Sequence, residues 1–274
     1  MKYQPSLPER NDNVSHQHPI REFGILILSI IGVAVISFWI LGFFIDQAVG
    51  YISPEDEAQL FAKIDLDWEF GETASGPRQA LVQHLIEALR PCQEIGFSTP
   101  VTIIESQNIN AMAIPGGKIV VFSELLKSMK TENGLAFVLA HELGHFKNRD
   151  HLRSIGRGLV LAALSTLLTG ANSSISQMLT SSMTLGQAKY SQSRESQADE
   201  TALQILNCHY GHVGGATELF EVLQRQEGTW DINILHYFDT HPELQKRIEA
   251  IHELSKQQGY TVEEPLPLKK PLPL

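Results

Sequence analysis

The chain has 274 residues, 43% hydrophobic and 19% charged, with 20 glycines and 13 prolines. That composition belongs to a globular protein and excludes wholesale disorder, a collagen-like fibre and a small disulfide scaffold. The net charge is −10; the first 22 residues cancel and the last ten add two lysines, so residues 23–264 carry −12. This is the wrong sign for wrapping a phosphate backbone, and no nucleic-acid partner is expected.

Residues 1–22 are rich in Pro, Asn, His and Gln, have little apolar periodicity, and are expected to form a disordered tail. Phe23 to Ile45 is a run of 23 residues without a charge, about 34 Å long as a helix and long enough to span a bilayer. It exceeds the usual apolar core of a cleaved signal peptide, so a retained anchor is expected. Lys2, Arg10 and Arg21 precede the run and no basic residue follows before Lys63. The positive-inside rule then places the N-terminus in the cytoplasm and everything after Gln47 on the far side.

Ser53-Pro54-Glu55-Asp56-Glu57 has the form of a helix start, with a capping serine, proline in the first turn and acids near the positive end of the dipole. Leu81, Leu85, Ile86 and Leu89 recur at helical spacing and Pro91 ends that helix. The period then changes. Val101–Ile104, Asn110–Ile114 and Lys118–Phe122 are short, apolar and largely β-branched, with Pro115-Gly116-Gly117 as a turn, which predicts a small antiparallel sheet. Helices are predicted at 123–130, 132–150, 155–169, 187–207, 212–226 and 242–257. This order predicts an α+β, mainly helical domain over 53–260. Leu159 to Thr169 is too short to cross a membrane and predicts a buried or interfacial helix. The Ser/Gly-rich stretch 170–187 suggests a lid. Residues 261–274 form a Pro-rich tail expected to be extended. Cys92 and Cys208 are too few for a structural zinc site, and their spacing alone does not bring them together.

His141-Glu142-Leu143-Gly144-His145 is the chemically informative segment. Leu135, Val138 and Leu139 lead into it at helical spacing, so His141 and His145 share one helix face, where two imidazoles can hold one zinc ion. Glu142 lies on the adjoining edge, placed to take a proton from water at the metal. Catalytic zinc needs a third protein ligand and an open fourth position. Two candidates stand. One is His151, six residues after His145, although Asn148 replaces the glycine that would break the helix between them. The other is Glu195, with Asp199 four residues on and able to accept a hydrogen bond from a zinc-bound imidazole.

Four ordered segments carry a resemblance: Asn110-Ala-Met-Ala-Ile-Pro-Gly-Gly117 with its following strand, Leu135 to His145, Tyr190-Ser191 leading to Glu195 and Ala198-Asp199, and Thr240-His241-Pro242 with Arg247-Ile248. Over roughly residues 75–255 the chain resembles the membrane-associated gluzincin metallopeptidases, the group of the CAAX prenyl proteases, HtpX, and the OMA-type and BepA-type proteases. The resemblance implies a zincin-type domain with one zinc ion per chain. His141, His145 and Glu195 would be its ligands, Glu142 the general base and acid, and Asp199 the orienting carboxylate. It implies that His241 either donates to the oxyanion or acts as a fourth ligand guarding the metal, and that Asn110, Ala111, Met112 and Ala113 form an edge strand that pairs with an extended polypeptide. In the family Arg directly follows the Tyr-Ser pair. Gln192 stands there in this chain and Arg194 lies two residues later, which leaves Arg194 without an assigned role. The expected protein is a single-pass membrane endopeptidase acting on polypeptides outside the cytoplasm in protein quality control, in a bacterial inner membrane facing the periplasm. A CAAX-type peptidase would need several spanning segments, and a zinc-stabilised scaffold would not need Glu142.

Overall fold

In the computed structural model, residues 19–62, 72–74, 76–93, 95, 98–170, 191–226, 241 and 244–269 are described. Apart from Gly170, the lid predicted at 170–187 lies outside them, as does most of the N-terminal tail. Helix α1 (Pro19–Val49) is one continuous apolar rod that begins four residues before Phe23. It is long and apolar enough to cross a membrane. Its large side chains are mostly exposed, with Phe23 at 64% and Trp39 at 64%. A short helix α2 (Pro54–Leu60) follows, capped by Ser53, whose hydroxyl accepts from the Asp56 amide at 3.0 Å.

The sheet contains β1 (Thr73–Ala74), β2 (Val101–Ile104), β3 (Ala111–Ile114) and β4 (Lys118–Phe122) in the order β1-β2-β4-β3. The β3–β4 pairing is antiparallel, as the hairpin turn predicts, and β1, which the sequence did not signal, pairs antiparallel with β2. The β2–β4 pairing is parallel, so the sheet is mixed. The segment 105–110 carries the chain past the position beside β2, and the hairpin folds back to insert β4 there. Gly116 and Gly117 make the hairpin turn with φ of 89° and 78°, the left-handed region that side chains disfavour. Among the described residues this leaves β3 at the edge of the sheet, with all four of its residues buried.

Helix α3 (Pro77–Leu89) packs on β2, and α4 (Ser123–Ser128) follows β4. The centre of the domain is α5 (Glu132–Asn148), buried at every residue from Asn133 to Phe146. Thr131 caps it, accepting from the Gly134 amide at 3.0 Å. The predicted helix continued to 150. Instead Arg149 adopts the left-handed conformation (φ 55°, ψ 35°), ends α5 and starts α6 (Asp150–Thr169). Its guanidinium pairs with Glu57 of α2 at 3.3 Å, which holds the bend from the side chain. Thus α6 is 20 residues long, longer than the predicted segment, and is the second helix long and apolar enough to cross a membrane among the described residues. Helices α7 (Gln192–Tyr210), α8 (Glu218–Gln226) and α9 (Leu244–Gln257) complete the domain, with α7 crossing α5 and α9 packing on α7.

The extended segment after α9 returns to α5. Leu266 accepts from the Glu132 amide and Leu268 donates to Lys130, both at 2.8 Å. Cys92, just after α3, and Cys208, in the last turn of α7, form a disulfide across 116 residues of chain. Closing so large a loop stabilises the fold by about 2–4 kcal/mol. Reduction, or replacing both cysteines with serine, should lower Tm by roughly 5–10 °C. Equal melting curves with and without reductant would contradict a structural role for the bond.

Candidate metal centre

The close crossing of α5 and α7 builds the site. A Cβ added at Gly144 would lie 3.0 Å from the Ala198 Cα and 3.2 Å from the Thr201 Cβ. Glycine at this position of the motif therefore lets the helices approach and brings Glu195 opposite His141 and His145. The Nε2 atoms of the two histidines lie 3.0 Å apart. Glu195 approaches them at 3.5 and 3.4 Å. His241 joins from the other side, its Nδ1 at 3.0 and 3.1 Å from the Glu195 carboxylate. One ligand atom from each of His141, His145, Glu195 and His241 falls within 4.8 Å of the others, and all four residues are buried.

The outer nitrogens are engaged. His141 Nδ1 faces Asp199 at 2.9 Å and His145 Nδ1 faces Asp150 at 3.0 Å. Each imidazole that donates there turns a lone pair at Nε2 inward. Two lone pairs and a carboxylate converging on one buried point repel unless a cation lies between them. The residues therefore fit a divalent metal.

Arg247, from α9, braces the carboxylates. Its Nη1 lies 2.6 Å from Glu195, and its Nη2 and Nε donate to Asp199 at 2.6 and 2.9 Å. Its guanidinium stacks 4.8 Å above the Phe220 ring. Arg194 supports Asp150 at 3.4 Å and also reaches Ser154 and, at 3.8 Å, Asp46 of α1. The role left unassigned to Arg194 is thus to hold the carboxylate behind His145.

Glu142 is equally fixed. One carboxylate oxygen accepts from the Ala113 amide of β3 at 2.7 Å, and the other lies 3.7 Å from His241 Nε2. The outward amide of the edge strand and the expected base therefore meet directly. Asn110 precedes the strand, and its backbone carbonyl accepts from Phe122 at 3.0 Å. His151 stands apart, pairing with Glu57 at 2.8 Å. Glu57 also accepts from the Gly116 amide at 2.9 Å, tying α2 to the hairpin turn.

The charges shape protonation. Burial disfavours the charged form of His145, but Asp150, Glu195 and Glu142 outweigh it and raise its pKa to about 9. Burial would lower His141 too, yet Asp199 and Glu195 raise it. Burial would raise Glu195, but His241, His141 and His145 hold it well below the usual carboxylate range. For His241 burial prevails over Glu195 and lowers the pKa.

Residues 77–255 match peptidase family M48, and the chain belongs to that family. It is 32% identical over 157 residues to the mitochondrial metalloendopeptidase OMA1 of Schizosaccharomyces pombe, covering 55% of this chain and 45% of the relative. It is 28% identical over 164 residues to the metalloprotease YcaL of Escherichia coli, covering 57% and 62%. A protease HtpX homolog of Pyrococcus abyssi is 23% identical over 235 residues, covering 72% and 81%. The chain spans less than half the length of the two yeast OMA1 proteins it matches.

Asp150, Arg247 and Glu57 had no assigned role in the sequence. Asp150 follows a bend that no glycine marks, Arg247 lies in a matched stretch whose chemistry is set by the fold, and Glu57 lies far from the motif. Asp150→Ala should weaken metal binding about 10–100-fold, whereas the adjacent His151→Ala should leave it unchanged. Equal losses in a chelator competition would undo this division. With a pKa of about 9, His145 is protonated at pH 7 in chelator-treated protein. Adding zinc at pH 7 should therefore release a proton. Calorimetric heats that do not differ between buffers of different ionisation enthalpy would contradict it.

Proposed function

We propose that this chain is a membrane-anchored zinc endopeptidase that cleaves polypeptides outside the cytoplasm and serves protein quality control. The observation that carries the reading is the convergence of His141, His145 and Glu195 beside a Glu142 that is hydrogen-bonded to the open edge strand. His141 and His145 through Nε2 and Glu195 through its carboxylate would hold the zinc. Asp199 and Asp150 orient the imidazoles, and Arg247 keeps the Glu195 and Asp199 carboxylates in register. When bound, zinc supplies Lewis-acid polarisation of the scissile carbonyl and of the attacking water.

An extended substrate pairs with the edge strand at Asn110 to Ala113 through the carbonyls of Ala111 and Ala113, on the side away from β4. Glu142 takes the proton from the attacking water and returns it to the leaving amine. Its link to the Ala113 amide sets the base at a fixed height relative to the substrate strand. His241 lies within the donor group, so it would be placed either to hold the fourth position at rest, withdrawing before substrate enters, or to donate to the oxyanion.

The relatives include proteins named mitochondrial metalloendopeptidase and beta-barrel assembly-enhancing protease, which supports action outside the cytosol. The Cys92–Cys208 pair supports it independently, because structural disulfides persist in oxidising compartments. Together with the basic residues before the apolar run of α1, they favour a bacterial inner membrane with the catalytic domain in the periplasm.

Glu142→Gln should keep its zinc and its fold but lose cleavage of casein; wild-type cleavage would overturn the mechanism, while loss of zinc would point to a structural fault. In the same assay His241→Ala should raise basal cleavage if the imidazole is a guard. A fall of about 10²–10³-fold would make it an oxyanion donor instead.

A further inference from the structure

Helix α6 leaves the metal site and runs along the anchor. Its first turns are buried in the domain at Asp150, His151 and Leu152. Arg157 then meets Asp46, the first charged residue after the apolar run of α1. Arg194 reaches the same carboxylate at 3.8 Å. This collar places Arg157 level with the point where α1 leaves its apolar run.

Beyond the collar α6 continues antiparallel to α1. Gly156 faces Ile45, Gly42 faces the Arg157 side chain at 3.8 Å, and Leu164, Leu167 and Leu168 line one open cleft with Ser29, Ile30 and Val33 of α1. Val160 and Ser165 are buried, yet Leu159 is 59%, Leu167 82% and Leu168 57% exposed. A helix inside a soluble core would bury these leucines. From Gly158 to Ala188 the sequence holds no charged residue across 31 positions, and Arg157 and Lys189 bracket the stretch. Hydroxyls in this region bond to their own backbone: Ser29 donates to Ile25 at 2.7 Å and Thr169 to Ser165 at 2.8 Å. That pattern suits a medium without water.

We propose that α6 is a second membrane-inserted helix, whose half from Leu159 to Thr169 lies in the hydrocarbon beside α1, entering from the catalytic side and ending within the bilayer. The occupant of its exposed leucine face is lipid acyl chain. The proposal rests on the reading of α1 as a membrane anchor, and the apolar surface of α6 is continuous with that of α1. Twelve residues from Arg157 to Thr169 rise about 18 Å, a little over half of a hydrocarbon core of about 30 Å. The helix therefore enters without crossing. Because Asp150 is hydrogen-bonded to His145 and lies seven residues, about 10 Å, before Arg157, insertion fixes the metal site close above the membrane surface.

The test is spin labelling of the full chain reconstituted in phosphatidylcholine vesicles. Single Leu159→Cys, Leu167→Cys, Val33→Cys and Lys256→Cys variants carry a nitroxide, and Cys92 and Cys208, joined to each other, take none. Collisions with oxygen, which partitions into lipid, are compared with collisions with a water-soluble nickel chelate. The expected result is a preference for oxygen at Leu167 and Val33, a smaller one at Leu159, and preference for nickel at Lys256. Nickel access at Leu159 and Leu167 with oxygen preference at Val33 would overturn the insertion of α6 and leave the anchor intact. Nickel access at Val33 as well would remove the anchor reading itself. Low access to both reagents at Leu167 would mean that protein, this chain or a second copy, covers the face, and would overturn lipid as its occupant.

Discussion

Uncompensated buried charge is the constraint around which the domain is organised. Glu142, Asp150, Glu195 and Asp199 are all nearly inaccessible, and an unpaired buried carboxylate costs several kcal/mol. Arg247 and Arg194 supply two positive charges against these four negative ones. The difference of two can be met in two ways. The imidazoles of His141 and His145 can take up protons, which is the direction in which their pKa values move. A divalent cation can replace those protons with the same charge. The carboxylates that face the two imidazoles would thus also set the competition between proton and metal.

That charge can be concentrated only because the backbone lets two helices meet at close range. Gly144 and Ala198 provide the contact, and Thr201 closes beside it. The Cys92–Cys208 bond ties the far end of α7 to the turn after α3. Capping at Thr131 and the returning chain at Leu266 and Leu268 hold the start of α5. Helix α5 is therefore restrained at its start, at its crossing and, through Arg149 and Glu57, at its end.

The parts legible in the sequence were those with a local period or a dense motif. The spacing around His141 and His145 implied one helix, and the β-branched runs with their Gly-Gly turn implied the strands. The parallel pairing of β2 with β4 was not legible, since 105–110 carries no signal for which neighbour the hairpin will adopt. The bend at Arg149 was hidden because its left-handed conformation is held by a distant carboxylate rather than by a glycine. Hence the last predicted turn of α5 became the start of α6, and Asp150 came round to face His145. The resemblance pointed to Asp199 by position; the reason for Asp150 exists only in three dimensions.

The bend also changes what the anchor contributes. Had α5 run on straight, Asp150 and His151 would have continued the axis of α5. With the chain turned at Arg149, Asp150 faces His145 and His151 faces Glu57 of α2, so successive residues attach the site to different supports. Behind Asp150 stands Arg194, and behind Arg194 stands Asp46 of α1. Each link is a pair of opposite charges at reduced exposure, where screening by water is weaker than at an open surface. The apolar helix α1 is accordingly joined to His145 through side chains as well as through the backbone. The position of His145 then depends on where α1 and α6 sit against each other, and the collar at Arg157 is the point at which that relation is fixed.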